Sequence, residues 1–594
     1  MQPGNAGSRT GLLVIAILLA VAFSVAFPSF GTLSNANSIA LNSSALGIAA
    51  LGTMCLLITG NIDLSIGSLY ALVGVVVAKL AVVTGNGALA AVAGLLLGLL
   101  LGLTNGILVR LLAISPIIVT VATMIIFGGV AFLVTNGDTI GGLPAGFIAV
   151  GRSSVGPIRT PVVLMLVLFL VVAYGLTRTR LGLRLYAIGG NKLAAQLSGV
   201  PAEATVLATF GFNGLMVAIA ALLTTSRLGI SSPSAGTGFE FGVLTAVILG
   251  GVAFTGGSGR PLGILYGITA IAILNAGLVF LGLPFFFQDT SRGVLLLVAL
   301  ATDQLLQRSR LLQATRSAAM KRTGPTESRV TEHRPRHVSV PDLDRREPIL
   351  SARGLSKRYG AVRALDGANL DVRPGEVVCL LGDNGAGKST LVKILSGAIA
   401  PDAGTVTVGG EPVLLHSPAL MRERGVETVY QDLALCPNLS VAHNMALGQE
   451  PTCVAFGVLP SRDDVKAKLT AAKRLARLGI NLPSQDILIT ELSGGQRQAV
   501  AIARAVHPNV KVVILDEPTA ALGVHQTSAV LDLIRGIADQ GTGVILISHD
   551  IETVLGVADR IVVLRLGRVA LERAASKLDE MELLRLMAGM PLSG

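Results

Sequence analysis

Long apolar runs separated by short polar segments fill the first half of the chain. Most of these runs are close to the length of about 20 residues that a helix needs to cross a bilayer. They occupy residues 11–27, 39–59, 66–83, 88–109, 114–134, 161–176, 205–225, 241–254, 262–281 and 293–306. The pattern therefore predicts an all-α polytopic membrane domain with about ten transmembrane helices over residues 1–306.

The first run has a second interpretation, because Arg9 precedes it as a basic residue precedes a cleaved secretory signal. Many similar runs follow it, so we interpret it as the first transmembrane helix. Composition agrees with a membrane location, since the mean hydropathy is +0.69 and only 14% of residues are charged.

Many of the basic residues of this half lie in alternate connections. If the N-terminus is cytoplasmic, every one of these connections is cytoplasmic, in agreement with the positive-inside rule. The residues are Arg110, then Arg178, Arg180, Arg184 and Lys192, and after the last run Arg308, Arg310, Arg316, Lys321 and Arg322. The rest of the chain is then cytoplasmic too. The net charge of +11 is explained in this way and gives no reason to expect nucleic acid binding.

Several polar residues lie within or beside the apolar runs, where burying them is costly. They are Asn61, Asp63, Asn105, Asn136, Asp138, Glu240 and Asn275. Capping of helix ends is the role we expect for most of them. Asn275 has long apolar stretches on both sides and is the candidate to face an internal pathway.

A change of pattern follows the last apolar run. Residues 307–348 lose periodicity and gain Arg, Ser, Thr and Pro, which predicts a flexible basic linker. Residues 349–594 then alternate short apolar strands with amphipathic segments, which predicts a soluble α/β domain. The four cysteines have no CxxC spacing, and we interpret them as reduced packing residues.

A glycine-rich loop lies between the apolar run 377–381 and an amphipathic segment. Its residues are Gly382, Asp383, Asn384, Gly385, Ala386, Gly387, Lys388, Ser389 and Thr390, with the spacing GxxxxGKS. The glycines let backbone amides turn inward around a polyphosphate, Lys388 can reach the β- and γ-phosphates, and Ser389 can ligate Mg²⁺. The alternative is a glycine-rich turn that binds nothing.

Further candidates stand at the ends of predicted elements. Asp516 and Glu517 end an apolar strand, where the first can hold a metal shell and the second can polarise water. His549 follows the next apolar strand, and Gln431 can ligate Mg²⁺ or water. Tyr359 is either a core residue or a platform for adenine. Ser493 can cap a helix whose amide end faces an anion, within the sequence Leu492, Ser493, Gly494, Gly495 and Gln496.

Together these motifs resemble the nucleotide-binding domain of ABC transporters over residues 349–590, with Walker A, Q-loop, signature, Walker B and switch histidine in order. The first half resembles permeases of bacterial ribose, xylose and galactose importers, through GNIDLSIGS (60–68), VTNGDTI (134–140), TRLGLRLYAIGGNKLAAQLSGV (179–200) and GTGFEFGVLTAVILGGVAFTGGSGR (236–260). The resemblance implies a C-terminal α/β P-loop ATPase with a helical subdomain, ATP and Mg²⁺ as cofactors, and a location in the inner membrane.

The resemblance also implies partners. The signature of one ATPase domain completes the ATP site of another, which predicts a dimer of this chain, and a periplasmic sugar-binding protein delivers the monosaccharide. A short helix around residues 191–197 is then the expected mechanical contact with the ATPase, although this segment could instead be a solvated basic loop.

Two features depart from the family pattern. One permease is fused to one ATPase, and Gly523 stands where many ABC proteins have the D-loop aspartate. Two other functions remain open at this point: an exporter of an apolar compound, and a membrane-tethered regulatory ATPase that transports nothing.

Overall fold

The computed structural model describes residues 6–320, 346–413, 417–455, 457–520, 522–578 and 580–587. The chain forms two compact units. The first, here called the membrane unit, comprises Met1–Lys192, Pro201–Thr326 and Val454–Arg462. The second unit comprises Leu193–Val200, Glu327–Cys453 and Asp463–Gly594. Each unit therefore contains a short segment from the half of the sequence that otherwise builds the other.

The first half of the chain is helical apart from one small hairpin. Its elements are α1 (Ala6–Ala26), α2 (Leu33–Ile58), α3 (Ile66–Thr84), α4 (Gly87–Leu112), α5 (Pro116–Thr135), α6 (Ala145–Arg152), β1 (Ser154–Val155), β2 (Ile158–Arg159), α7 (Thr160–Arg178), α8 (Arg180–Gly190), α9 (Lys192–Leu197), α10 (Ala202–Leu228), α11 (Phe239–Leu249), α12 (Pro261–Phe280) and α13 (Phe285–Met320). The predicted all-α membrane domain is confirmed.

Each of the predicted apolar runs overlaps one of these helices, although run 241–254 extends five residues beyond the end of α11 at Leu249. Within the described ranges, seven helices are long and apolar enough to cross a membrane, namely α2, α3, α4, α5, α7, α10 and α12. Helix α11 is apolar but has only 11 residues. The short helix expected around residues 191–197 is present as α9, and α8 directly before it was not predicted.

Helices α4 and α10 approach each other backbone to backbone. Glycines recur at every fourth position of α4, from Gly94 to Gly106. A Cβ atom placed on Gly102 would lie 2.4 Å from the carbonyl oxygen of Phe210, and one on Gly98 would lie 2.7 Å from that of Gly214. Small residues at this spacing are what allows membrane helices to pack closely without a hydrophobic driving force.

A buried polar network crosses the helices of the membrane unit. The Asp63 carboxylate accepts hydrogen bonds from the Ser65 amide at 2.9 Å and the Ser65 hydroxyl at 2.6 Å. It also accepts from the side-chain amides of Asn105 at 3.3 Å and Asn213 at 3.2 Å. Thr53 donates to the Asn213 side-chain oxygen at 3.1 Å. The expectation of helix capping is therefore wrong for Asn105, which lies inside α4 and joins it to α10 through Asp63.

The second half of the chain alternates strands and helices. Its elements are β3 (Leu350–Tyr359), β4 (Val362–Val372), β5 (Val377–Leu381), α14 (Lys388–Leu395), β6 (Ala403–Val408), β7 (Glu411–Pro412), α15 (Pro418–Glu423), β8 (Val426–Val429), α16 (Val441–Ala446), β9 (Thr452–Ala455), β10 (Leu459–Arg462), α17 (Asp464–Arg477), α18 (Gly494–Ala505), β11 (Val512–Asp516), α19 (Val524–Asp539), β12 (Gly543–Ile547), α20 (Ile551–Val557), β13 (Arg560–Arg565), β14 (Arg568–Ala574) and α21 (Glu580–Met587).

A six-stranded sheet with the order β14-β13-β5-β12-β11-β8 forms the core of the second unit. Strands β13, β5, β12, β11 and β8 pair in parallel, and β14 is antiparallel at one edge. All five residues of β5 and of β12 are buried, as expected for central strands of a parallel sheet. A separate four-stranded sheet has the order β4-β3-β6-β7.

The predicted linker, residues 307–348, falls largely outside the described residues. Helix α13 continues to Met320, and the description resumes at residue 346 before β3 begins at Leu350. Three of the cysteines are buried as predicted, whereas Cys453 is exposed on β9 and is not a packing residue.

Candidate functional site

The glycine loop connects β5 to α14, in the order that the sequence predicts. Gly382, Gly385 and Gly387 have φ values of +152°, +84° and +105°, which side-chain-bearing residues rarely adopt. A Cβ atom on Gly387 would lie 2.5 Å from the carbonyl oxygen of Ala364, so close packing against β4 requires glycine there as well. The loop thereby curls tightly ahead of the first turn of α14.

Lys388 begins α14 and folds back over the loop. Its ammonium group donates to the carbonyl oxygens of Gly382 at 2.5 Å and Asp383 at 3.0 Å. Ser389 is exposed in the same helical turn. The lysine charge and the serine hydroxyl therefore lie at the mouth of a loop lined by backbone amides, an arrangement that attracts anions.

Two carboxylates stand at the end of β11 beside this loop. Asp516 ends the strand, and Glu517 follows it with a φ of +48°. The Glu517 amide donates to the Ile547 carbonyl oxygen at 3.0 Å, which fixes this unusual backbone conformation against the end of β12. A positive φ at a residue other than glycine is uncommon and is frequent at functional sites.

Glu517 is held between two side chains that the sequence singled out. The amide of Gln431 donates to one carboxylate oxygen at 2.9 Å, and His549 Nδ1 lies 3.1 Å from the other. These residues follow β8, β11 and β12, which are neighbours in the sheet. Because parallel strands end at the same edge, the topology brings all three side chains together.

Asp516 is electrostatically linked to the phosphate loop. Burial of its carboxyl raises the pKa of Asp516, the neighbouring Glu517 carboxylate raises it further, and the Lys388 ammonium lowers it. The structure thus brings Lys388, Asp516, Glu517, Gln431 and His549 into one cluster at the edge of the sheet.

The signature sequence forms the start of α18. Ser493 and Gln496 make a reciprocal capping box, in which the Gln496 amide donates to the Ser493 hydroxyl at 3.3 Å and the Ser493 amide donates to the Gln496 side chain at 3.0 Å. Leu492 is buried, and Gly494 and Gly495 form the first helical turn. Within the described part of the chain, no hydrogen bond or ion pair joins these residues to the phosphate loop.

Tyr359 ends β3 with its ring about half exposed. The Lys357 ammonium lies 6.0 Å from the ring centroid, at the outer limit of a cation–π contact. The tyrosine is therefore not a core residue, and its ring is accessible to a planar ligand. Its backbone pairs with Val362 at the turn into β4.

The donor set fits an Mg²⁺–nucleotide pair better than a protein-bound metal. No group of three or more His, Cys, Asp or Glu side chains that could hold a metal ion exists among the residues that the structure describes. Mg²⁺ in nucleotide sites takes few protein ligands and keeps phosphate oxygens and water. The Ser389 hydroxyl and the Asp516 carboxylate beside Lys388 supply such a sparse set.

Two arginines that the sequence did not single out hold the segment Leu193–Val200 within the second unit. Arg422 donates to the Leu197 carbonyl oxygen, and Arg504 donates to the Ser198 hydroxyl at 3.3 Å and the Ala434 carbonyl oxygen at 2.7 Å. Burial lowers the pKa of Arg504. Arginines have no periodic signature when they bind loop carbonyls, so sequence patterns could not find them.

Comparison with known proteins finds one family in the helical first half of the chain and another in the α/β second half. Residues 35–302 match the family described as a branched-chain amino acid transport system permease component, and residues 365–520 match the family described as ABC transporter. Neither match extends over the whole chain.

Three relatives align with the second half. A fructose import ATP-binding protein of Rhizobium meliloti is 48% identical over 225 residues, which are 37% of this chain and 86% of the relative. A xylose/arabinose import ATP-binding protein of Sulfolobus acidocaldarius is 43% identical, with coverage of 41% and 95%. A ribose import ATP-binding protein of Rubrobacter xylanophilus is 42% identical over 246 residues. These residues are 41% of this chain and only 47% of the relative.

Proposed function

The chain belongs to the ABC transporter family, and we propose that it uses ATP to import a monosaccharide, a pentose or a hexose, across the cytoplasmic membrane. Residues 1–306 serve as the permease, 307–348 as the linker and 349–594 as the ATPase domain. The names of the import relatives and the permease family support this function. The observation that carries it is the cluster of Lys388, Asp516, Glu517 and His549 beside the phosphate loop.

ATP binds along the glycine loop in this proposal. The amides of residues 382–390 surround the β- and γ-phosphates, Lys388 neutralises their charge, and Tyr359 stacks on the adenine. Ser389, Gln431 and Asp516 would hold Mg²⁺, directly or through water. The bound ion would supply positive charge next to the phosphates.

Hydrolysis depends on Glu517. Its carboxylate lies between Gln431 and His549 at hydrogen-bond distance from each, so it is oriented to accept a proton from an attacking water. His549 is positioned to donate to the γ-phosphate. Glu517 directly follows strand β11, so the sheet fixes its position.

A second copy of the chain completes each site. Residues Leu492–Gln496 present the amide end of α18, which is useful only if it points at a phosphate. A homodimer with two ATP sites gives each signature a partner loop. ATP contacts both copies in the closed state and therefore favours closure. A periplasmic sugar-binding protein delivers the sugar on the opposite face of the inner membrane.

The site assignment is tested by Lys388→Ala. Loss of the ammonium leaves the phosphate charge uncompensated, so we expect ATP binding and turnover to be lost while the membrane unit stays folded. Binding of a fluorescent ATP analogue and phosphate release measure this directly. Lys393→Ala, later in α14, is the matched control and should retain turnover. Normal turnover in Lys388→Ala would contradict the role of the loop.

The transport assignment is tested separately. Sugar-loaded binding protein should stimulate ATP turnover of the reconstituted chain, and sugar-free binding protein should stimulate it less. An exporter would respond to an apolar compound without any binding protein. A regulatory ATPase would show turnover that no combination of sugar and binding protein changes.

A further inference from the structure

A β-hairpin from the second half of the sequence belongs to the membrane unit. Strands β9 and β10 pair with each other, and Val454–Arg462 is assigned with the transmembrane helices. Neither strand belongs to the six-stranded or the four-stranded sheet. The hairpin therefore needs another reason to hold its position.

Hydrogen bonds fasten this hairpin to the end of α7. The Ser461 hydroxyl donates to the Arg178 carbonyl oxygen at 3.2 Å. The Arg462 guanidinium donates to the carbonyl oxygens of Thr179 at 3.4 Å and Thr177 at 3.5 Å. The last carbonyls of a helix lack partners within the helix and carry partial negative charge, so a buried arginine is a favourable cap there.

The attachment point lies at the level of the membrane–water interface. Helix α7 has 19 residues, and at 1.5 Å per residue its length of about 28 Å is close to the hydrocarbon thickness of about 30 Å. Its final turn therefore reaches the interface. Tyr174, one turn before the end, donates to the Pro460 carbonyl oxygen at 3.4 Å. Tyrosine with its hydroxyl directed to the polar side is typical of this depth.

The hairpin also lies on the lipid-facing side of α7. Val167, Leu170 and Tyr174 follow each other at helical spacing and share one face. Leu170 is 65% exposed and Val167 is also exposed, as expected for side chains that contact lipid in a spanning helix. Because Tyr174 lies on this face and donates to Pro460 of the hairpin, the hairpin continues the apolar face beyond the end of the helix.

The outward side chains of the hairpin are themselves apolar. Val458, at the turn, is 80% exposed, and Val454 and Leu459 are exposed on the two strands. Exposed apolar side chains are unfavourable in water, and this cost is relieved in an apolar environment. Arg178 is exposed beside them and can contact anionic lipid headgroups.

We propose that this hairpin, residues 452–455 and 457–462, rests in the bilayer interface, with its apolar side chains at the boundary between lipid headgroups and acyl chains. The partner is the lipid surface. Continuity with the lipid-facing side of α7 carries the proposal, and the basic end of that helix agrees with it. A segment from the second half of the sequence then contacts the membrane, and this contact does not depend on which substrate is transported.

The absence of tryptophan from the sequence makes a direct test possible. Val458→Trp introduces a single tryptophan at the hairpin turn of the full-length chain. The variant is reconstituted in matched bilayers with and without brominated lipids, which quench tryptophan by contact. Leu170→Trp on α7 is the positive control. Val362→Trp, on an exposed position of β4 in the second unit, is the control for a solvent-exposed tryptophan.

We expect Val458→Trp to have blue-shifted emission and to lose a fraction of its emission in brominated lipid comparable to that of Leu170→Trp. Leu459→Trp provides an independent position if Val458→Trp does not fold. Emission that matches Val362→Trp and does not respond to bromine, in a folded variant, would overturn the proposal. This outcome would include the case in which the hairpin is covered by a second copy of the chain. Neither result depends on ATP turnover or transport, so the test stands apart from that of the proposed function.

Discussion

Asp63 in the membrane unit and Glu517 in the second unit are both carboxylates held by neighbouring side chains, but their surroundings differ. Asp63 is fully buried and accepts hydrogen bonds from Ser65, Asn105 and Asn213. Glu517 is only partly buried, and its partners Gln431 and His549 are themselves exposed or nearly so. One carboxylate is enclosed by protein donors, and the other faces an open edge of the sheet.

This difference follows from what each region has to do. Inside a membrane, a carboxylate is tolerated only where protein donors surround it, so its network joins helices and stabilises one arrangement. In the proposed ATP site, the Glu517 carboxylate would have to meet a water and a phosphate. The predictions below test whether the first cluster is structural and the second is chemical.

Glu517→Gln should have the largest effect, which we expect on ATP hydrolysis and not on ATP binding. Loss of the proton acceptor is expected to lower ATP hydrolysis by about 10³-fold, while ATP binding continues and closed dimers accumulate. Phosphate release and size-exclusion chromatography with ATP measure the two effects. Asp486→Asn, at an exposed carboxylate paired with Lys468, is the matched control and should leave hydrolysis unchanged. Normal hydrolysis in Glu517→Gln would remove that residue from the reaction.

Asp63→Asn should act on stability. The new amide group places donor hydrogens against the donors of Ser65 and Asn105, so we expect the free energy of unfolding to fall by about 3 kcal/mol. Thermal unfolding in detergent measures this loss. Asp138→Asn changes an exposed carboxylate of the same unit and should have little effect. If both variants unfold at the wild-type temperature, the network is not structural.

Gly102→Ala tests the Asp63 network indirectly, through the packing of α4 against α10. The added methyl group would meet the Phe210 carbonyl oxygen and push α4 away from α10, which separates Asn105 from Asn213. We expect a loss of about 2 kcal/mol, within the usual cost of overpacking. Gly129→Ala on α5 is the control, because a Cβ atom there would have no neighbour within 4 Å. Equal stability of the two alanine variants would argue against close packing of α4 and α10.

Gly523→Asp should have the smallest effect and concerns the stability of the second unit. Gly523 precedes α19 with a φ of −78°, and a Cβ atom there would have no neighbour within 4 Å. Aspartate is a better N-cap than glycine by a few tenths of a kcal/mol, so the second unit should unfold at a slightly higher temperature with ATP turnover retained. A lower unfolding temperature would show that glycine is required for packing.

The loop and strand-end positions of the candidate ATP site could be predicted from the sequence because its motifs are local. The spacing of Gly382, Gly387 and Lys388 implies a loop, and the strand ends indicate where Glu517 and His549 meet. The resemblance to ABC transporters is confirmed by the family matches. The roles of the individual site residues stay predictions.

Features that depend on contacts distant in sequence could not be predicted. Asn105 and Asn213 lie on separate helices, and no local pattern shows that both bind Asp63. Likewise, the apolar residues of the β9–β10 hairpin look like part of the soluble domain until Arg462 and Tyr174 are seen to join it to α7. Helix α8 was missed because its charged residues resemble those of a solvated loop.

The most direct test of the proposed import function is sugar uptake by the reconstituted chain. Vesicles with ATP enclosed on the side of the ATPase domain are mixed with labelled pentose or hexose and the binding protein outside. Import predicts that label accumulates inside with wild-type protein and not with Glu517→Gln. Transport that ran outward, or that needed no binding protein, would contradict the proposed function.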